Sequence, residues 1–151
     1  MKHINRKSPA LIVLMLTGLC VTGCSQDFEK VPQTQAGDMV EMGKKFNDKF
    51  YNTLKQGNTY EFGSEASEDV KRQISPEMQK LLYKQVQTQF GDYVDSEFVE
   101  AWKQKSNPGI TILRYKGKFS QSDAKLELRV VYNEAGEVAG FFIKPWSDML
   151  N

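Results

Sequence analysis

The spacing of apolar residues predicts a long amphipathic helix in the first half of the chain. The helix runs from about Asp38 to Gln56, with Asp38 as its N-cap and Gly57 as its stop signal. Its apolar positions recur every three or four residues. They are Met39, Met42, Phe46, Phe50 and Leu54. We interpret this face as core rather than as a groove for a partner.

A second helix is predicted from the pair Ser75-Pro76, a hydroxyl cap followed by proline at the first helical position, to Gly91. Its apolar face consists of Met78, Leu81, Leu82, Val86 and Phe90. Between the two helices, residues 59–67 are predicted to form a short helix or turn, and residues 68–74 another short helix or turn.

After Gly91 the apolar period changes from 3.6 to two, which predicts strands. Four strands are expected at about 93–104, 110–120, 124–132 and 137–144, and polar turns separate them. Helices followed by such strands indicate an α+β fold, in which N-terminal helices pack on a bent, four-stranded antiparallel meander within a single domain. In the first strand both faces are partly apolar, which predicts a bulge or strong curvature there.

The turns suggest a register in which Phe119 faces Ala124 and Tyr132 faces Glu137. One face of the sheet then gathers Leu113, Tyr115, Phe119, Leu126, Leu128, Val130, Ala139, Phe141 and Ile143. The reverse face carries Arg114, Lys116, Lys118, Lys125, Glu127 and Arg129 and is expected to be solvated.

The N-terminus has the layout of a signal peptide. Residues 1–7 are basic and residues 10–21 are mostly apolar. From Ala10 to Gly23 a helix would measure about 21 Å, which is too short for a bilayer core of about 30 Å. The sequence therefore predicts a removed leader over residues 1–23.

Val21-Thr22-Gly23-Cys24 resembles the lipobox of bacterial lipoproteins. The resemblance implies that the Cys24 thiol receives a diacylglyceryl group, and that cleavage before Cys24 is followed by acylation of the new amine. The alternative is an ordinary secretory signal with an incidental cysteine. Cys20 is the rival lipidation site, but Leu19 before it is bulky and cleavage there would shorten the apolar stretch.

In Gram-negative lipoproteins, Ser25 after the lipidated cysteine favours the outer membrane, facing the periplasm. Residues 25–37 show no apolar periodicity and are interpreted as a tether. The expected organisation is a signal peptide at 1–23, a lipidated tether at 24–37, a folded domain at 38–146 and a tail at 147–151.

Composition narrows the possible functions. Without residues 1–23 the chain has 17 basic and 19 acidic side chains, so it lacks the positive charge of a nucleic-acid binder. The only histidine, His3, lies in the leader, which excludes histidine-based catalysis and metal sites from the mature chain. With Cys24 lipidated, no free thiol remains. No cofactor or metal is expected.

Two groups of residues are candidates for a site. The first group is aromatic and consists of Tyr83, Trp102, Tyr115 and Phe141. These residues either line an apolar ligand pocket together with Phe62 or pack as core. The second group is acidic and consists of Asp92, Asp95, Glu97 and Glu100. These residues either act as acid/base or weak cation-binding groups, or pair across strands with a basic stripe, which is the interpretation we favour. The basic stripe consists of Lys103, Lys105, Arg114, Lys116 and Lys118. The basic stripe itself is an alternative contact for anionic lipid headgroups or glycans. Trp146 is expected to cap the sheet edge or to mark a contact surface.

The hairpin Arg129–Phe142 resembles the terminal hairpin of the nuclear transport factor 2-like superfamily, especially its small uncharacterised domains in bacterial lipoproteins. Gln56–Tyr60 is similar to the exit of that family's first helix, and Ser75–Met78 to the start of its second. The resemblance covers about residues 38–145 and implies a bent sheet and helices enclosing a cone. Enzymes of the superfamily often place a His/Asp or Tyr/Asp pair there.

The expected function is a membrane-anchored, non-catalytic envelope lipoprotein that binds a small apolar ligand or a partner protein. One version is an immunity or inhibitor lipoprotein that contacts a hydrolase through the acidic residues. The alternative is a pocket enzyme, an isomerase or hydrolase, with tyrosine–carboxylate chemistry. It requires an inward carboxylate near Tyr115 or Tyr83.

Overall fold

The structure, a computed structural model, describes residues 27–150. Its elements in chain order are β1 (Phe28–Val31), α1 (Gln33–Ala36), α2 (Met39–Lys55), α3 (Glu68–Gln73), α4 (Pro76–Phe90), β2 (Tyr93–Gln104), β3 (Thr111–Phe119), β4 (Ser122–Tyr132) and β5 (Val138–Pro145). The strands form one open antiparallel sheet in the order β1-β2-β3-β4-β5. The predicted α+β class is confirmed, with five strands instead of four.

The predicted helices are present. Asp38 precedes α2 as predicted, but its side chain makes no capping hydrogen bond, whereas α4 is capped at its start. The Ser75 hydroxyl accepts a hydrogen bond from the Met78 amide (3.2 Å), and the helix ends at Gly91, whose φ of 81° favours glycine. Residues 59–67 do not form a helix. Instead, the Val138 amide donates to the Glu65 carbonyl (2.7 Å) and the Ser67 amide donates to the Val138 carbonyl (3.0 Å), which joins this segment to β5.

The prediction that residues 25–37 form an irregular tether is wrong for the part that the structure describes. β1 pairs with β2, placing Phe28 opposite Gln104, and a helical turn follows at α1. Phe28, Val31 and Ala36 are buried. Four-residue elements carry too few positions for their periodicity to be visible in the sequence.

The register between β3 and β4 is as predicted at Leu113–Val130 and Tyr115–Leu128, but Phe119 faces Ser122. Between β4 and β5 the predicted register is wrong by two residues. Val130 faces Phe141 instead of Ala139. One residue of this shift arises at the turn, where Tyr132 faces Val138 rather than Glu137, and the bulge residue Ala139 adds the second. A shift of two preserves the face of a strand, so Phe141 and Ile143 remain in the core, whereas Ala139 does not belong to it.

The bulge predicted in the first strand of the meander is confirmed in β2. The pairing shifts between Phe98 and Glu100 and again between Tyr93 and Asp95. The shift after Phe98 lets Phe98 and Ala101 both contact the main core, although they are three residues apart. Trp102 then lies on the opposite face, which accounts for the mixed pattern of this strand.

The sheet is covered on both faces. The main core lies between the sheet and α2 to α4, and a smaller one lies on the other face. The smaller cluster consists of Phe28, Ile110, Ile112, Val131 and Leu150, with Trp102 and Phe142 packed against it. Because the C-terminal segment crosses this second face, the predicted solvated face is wrong for Arg114 and Glu127, which are fully buried, and for Arg129, which is largely buried.

Candidate functional site

The four predicted pocket residues do not meet. Tyr115 and Phe141 lie in the main core between helices and sheet. Tyr83 packs into the same core from α4, and its hydroxyl points to Asp92 at the start of β2. Trp102 packs on the opposite face of the sheet. The prediction that these four residues line one pocket is therefore wrong.

Tyr115 is fully buried, and its hydroxyl is used by the backbone. It donates to the carbonyl of Val40 in α2 (2.7 Å). Gly43 allows this approach, because a Cβ there would lie 2.3 Å from the hydroxyl oxygen. Burial raises the pKa of Tyr115, so the phenol stays protonated. No described carboxylate bonds to it.

Aromatic rings pack against one another between α2, the segment after it and β5. Phe141 packs edge-on against Phe50, with ring centroids 4.8 Å apart, and against Phe46 at 5.1 Å. Tyr60 and Phe62 contact the same rings from the segment after α2. These side chains act as core, so the packing interpretation of the aromatic residues is the correct one here.

Three tyrosines bond to carboxylates, in separate places. Tyr83 donates to Asp92 (3.1 Å), Tyr93 to Asp48 (2.6 Å) and Tyr60 to Glu65 (2.9 Å). Burial, followed by the bond to Asp92, raises the pKa of Tyr83 to about 12. Each carboxylate also accepts a further hydrogen bond, from Gln87, Lys44 and the Gly63 amide respectively. The pairs therefore tie elements together.

The predicted pairing of the acidic and basic strands is confirmed. Asp95 lies opposite Lys118, Glu97 opposite Lys116 and Glu100 opposite Arg114. Asp95 also accepts a hydrogen bond from Lys44 on α2 (2.7 Å). The acidic residues therefore do not form one free acidic surface.

The second face of the sheet holds a buried ion network that the sequence reasoning missed. Arg114 donates through Nη1 to Glu100 and through Nη2 to Glu127 (2.8 Å). Glu127 also accepts from Arg129 (2.6 Å), and Lys30 of β1 pairs with Glu100 (2.7 Å). The alternation of charged residues matches a solvated strand, so only the cover over this face reveals that the charges are buried.

The C-terminal segment provides that cover. The Trp146 ring lies 4.2 Å from Arg114 Cζ and 5.2 Å from Lys116 Nζ, and the Ser147 carbonyl accepts a hydrogen bond from Arg114. Leu150 then packs into the smaller core. The prediction that Trp146 caps the sheet edge is wrong, because its ring lies over Arg114 and Lys116 on the face of the sheet.

The two glutamates of the buried ion network, Glu100 and Glu127, remain ionised. Burial by itself would raise the pKa of Glu127, but the hydrogen bond from Arg114 and the charge of Arg129 outweigh it, and the pKa lies below its ordinary value. The pKa of Glu100 is lowered in the same way, with Lys30 as the strongest favourable contact. Both glutamates are therefore ionised at neutral pH, which suits a structural role and not proton transfer.

A shallow cleft lies between α3 and β5. It is bordered by Asp69, Val70, Gln73, Ile74 and the backbone around Gly140, and its volume of about 10 Å³ has room for one water molecule. Among residues 27–150, no group of three or more His, Cys, Asp or Glu side chains is placed to hold a metal ion. None of the helices in this range is long and apolar enough to span a membrane.

Asp27, the first described residue, is fixed to the far end of β2. Its carboxylate accepts hydrogen bonds from Gln104 Nε2 (2.8 Å), Ser106 Oγ (2.6 Å) and the Ser106 amide (3.1 Å). The side-chain hydrogen bonds from Ser106 and Gln104 are the main reason why the pKa of Asp27 lies below its ordinary value. The Lys105 amide also donates to the Asp27 carbonyl (2.7 Å). The predicted lipidation site, Cys24, lies outside the described residues.

These contacts define an α+β domain whose helices cover one face of an open five-stranded sheet and whose C-terminal segment covers part of the other. The chain belongs to the family described as Protein of unknown function (DUF3887), whose model matches residues 47–141, from α2 into β5. A search of curated proteins and a search of solved structures each found no match.

Proposed function

We propose that the protein is a lipid-anchored, non-catalytic module of the bacterial cell envelope that binds a partner protein. The observation that carries the proposal is Val21-Thr22-Gly23-Cys24 directly after a short apolar stretch with a basic start. Two or more acyl chains give stable anchoring, since each buried methylene contributes about 0.8 kcal/mol. Ser25 favours the outer membrane in a Gram-negative source.

The contacts of the domain support a binding role rather than catalysis. The Tyr115 hydroxyl is bonded to the Val40 carbonyl, and the rings of Phe46, Phe50 and Phe141 occupy the interior. A protein that contacts the surface is therefore a better ligand for this domain than an apolar molecule held inside it. Helices before a meander also suit the resemblance to the nuclear transport factor 2-like superfamily, with its cone filled.

Lipidation is tested by labelling growing cells with an alkyne fatty acid and separating their membranes. We expect label and membrane association in the wild type and in Cys20→Ser, and loss of both in Cys24→Ser. Cys20→Ser is the matched control, because it removes the other cysteine of the leader. Label retained in Cys24→Ser would refute the anchor at this position.

The binding role is tested by cross-linking intact cells that carry the lipidated protein, followed by mass spectrometry. We expect one discrete envelope protein in the wild type and its loss in Cys24→Ser, because anchoring brings the two together. If native mass spectrometry instead shows a small molecule that survives purification, the protein is a small-ligand binder and the proposal is wrong in that respect.

A pocket enzyme is the second candidate, and one contact favours it. The buried Tyr83 of α4 donates to the partly exposed Asp92 between α4 and β2 (3.1 Å), which makes a tyrosine–carboxylate pair. An isomerase or hydrolase at this place would lose activity in both Tyr83→Phe and Asp92→Asn. If any turnover of envelope-derived substrates by the wild type is unchanged in these variants, this pair is not catalytic.

A further inference from the structure

The docking of β1 has a consequence for the position of the domain at the membrane. If residues 25–37 were a flexible tether, the 14 residues from Cys24 would allow a typical reach of about 20 Å and any orientation. Instead, Asp27 is hydrogen-bonded to the end of β2, and β1 follows it directly. Only three peptide links separate Asp27 from Cys24, so their Cα atoms lie within about 11 Å of each other in any conformation.

Asp27 is held at one particular end of the sheet. Its contacts with Gln104, Lys105 and Ser106 place it beside the turn between β2 and β3, residues 105–110. Phe28 and Val31, both buried, hold the rest of β1 against β2. Asp27, the described residue that lies nearest to Cys24 in the sequence, therefore has a fixed position on the domain.

We propose that the end of the sheet formed by the β2–β3 turn faces the lipid bilayer, and that the opposite end points away from it. The opposite end consists of the β3–β4 turn and the C-terminus of α2. Lys55 of α2 donates to the Tyr93 carbonyl, and Tyr93 lies opposite Phe119, the last residue before that turn. Nine residues of β3 separate the two ends, a distance of roughly 30 Å. This inference rests on the lipidation of Cys24 in the proposed function.

Charge does not produce this orientation. Lys103 and Lys105 lie near the β2–β3 turn, but Asp27 lies beside them and Glu134 packs against Gly109. With both signs present, attraction to anionic headgroups is weak and is screened within about 8 Å at physiological salt. The short covalent connection is what holds this end at the membrane.

The chain permits a direct test, because the mature protein has no free thiol. Pro108→Cys in the β2–β3 turn and Asp123→Cys at the opposite end introduce single exposed thiols for a fluorescent label. The full lipidated proteins are placed in phosphatidylcholine vesicles that contain a lipid with a spin label on its headgroup. We expect quenching at position 108 to exceed that at position 123 at least threefold. Equal quenching at both positions, or stronger quenching at 123, would overturn the proposed orientation.

A second experiment lengthens the chain between Cys24 and the folded domain. Ten Gly/Ser residues inserted between Gln26 and Asp27 are expected to reduce the quenching ratio towards one, while the protein still floats with the vesicles. In the protein without the insertion, raising the salt to 0.5 M should leave the quenching ratio between positions 108 and 123 unchanged. A fall of this ratio towards one at high salt would refute the explanation by the short covalent connection. Flotation separates the two proposals: protein that fails to float contradicts lipidation, whereas floating protein with equal quenching contradicts only the orientation.

Discussion

The ring of Trp146 lies over the guanidinium of Arg114, 4.2 Å from its Cζ atom, and this contact closes the buried ion network of the second sheet face. Arg114 has no exposed surface, and its other neighbours are Glu100, Glu127 and the Ser147 carbonyl. The C-terminal segment is therefore part of the folded domain and shields two ion pairs from water.

Trp146→Ala is expected to lower the free energy of unfolding by about 1–3 kcal/mol, because it removes a cation–π contact and exposes Arg114. Urea unfolding of the domain measures this change. Trp146→Phe keeps an aromatic face and should retain most of the stability. An equal loss in both variants would show that stacking on Arg114 is not the cause.

Glu127→Gln is expected to destabilise the domain by about 3–5 kcal/mol, because it leaves Arg114 and Arg129 with less negative charge in a buried site. Glu97→Gln is the matched control, since Glu97 is exposed opposite Lys116 and its loss should cost less than about 1 kcal/mol. Urea midpoints at pH 7 compare the two. Similar losses would contradict the buried network.

The network also predicts how stability depends on pH. The pKa values of Glu100 and Glu127 are lower in the folded state than the ordinary value of 4.5. Their contribution is therefore complete above about pH 4.5 and is lost as the pH falls through the folded values. Urea midpoints from pH 7 to pH 3 should fall steeply in the wild type and less steeply in Glu127→Gln. Parallel curves would show that Glu127 does not titrate in this way.

Gly43→Ala is expected to destabilise the protein by about 1–3 kcal/mol, although alanine normally favours a helix, because the new Cβ meets the Tyr115 hydroxyl. Tyr115→Phe removes the closest atom of that contact. Denaturation of both single variants and of the double variant forms a cycle in which we expect the double loss to be smaller than the sum. If the losses of the two single variants add up in the double variant, contact with the Tyr115 hydroxyl is not the cause of the destabilisation by Gly43→Ala.

Phe28→Ala is expected to lower the free energy of unfolding by about 3 kcal/mol, because Phe28 is buried in the smaller core, to which Leu150 also belongs. Glu29→Ala changes an exposed neighbour on the same strand and should have little effect. Unfolding measured by circular dichroism compares the variants. If the free energy of unfolding is unchanged in Phe28→Ala, residues 27–37 behave as a tether and not as part of the fold.

The sequence by itself determined the α+β class, the two long helices and the four-strand meander. Its local signals were strong there: the Phe46–Phe50–Leu54 spacing, the Ser75-Pro76 cap and the period of two after Gly91. It also determined that acidic β2 lies beside basic β3, because the turn at Pro108 fixes that pairing. The lipobox at Cys24 is a sequence prediction as well.

Only the tertiary structure decided what lies on the second face of the sheet. A charged residue at an alternating position has the same sequence signal whether water or another segment covers it, so Arg114 and Glu127 looked solvated. Trp146 and Leu150 provide that cover from the distant C-terminal segment, and Lys30 of β1 adds an ion pair to Glu100 from the edge of the sheet. The placement of Trp102 away from Tyr115, and the bulge at Ala139, likewise depend on pairing between strands that no local pattern encodes.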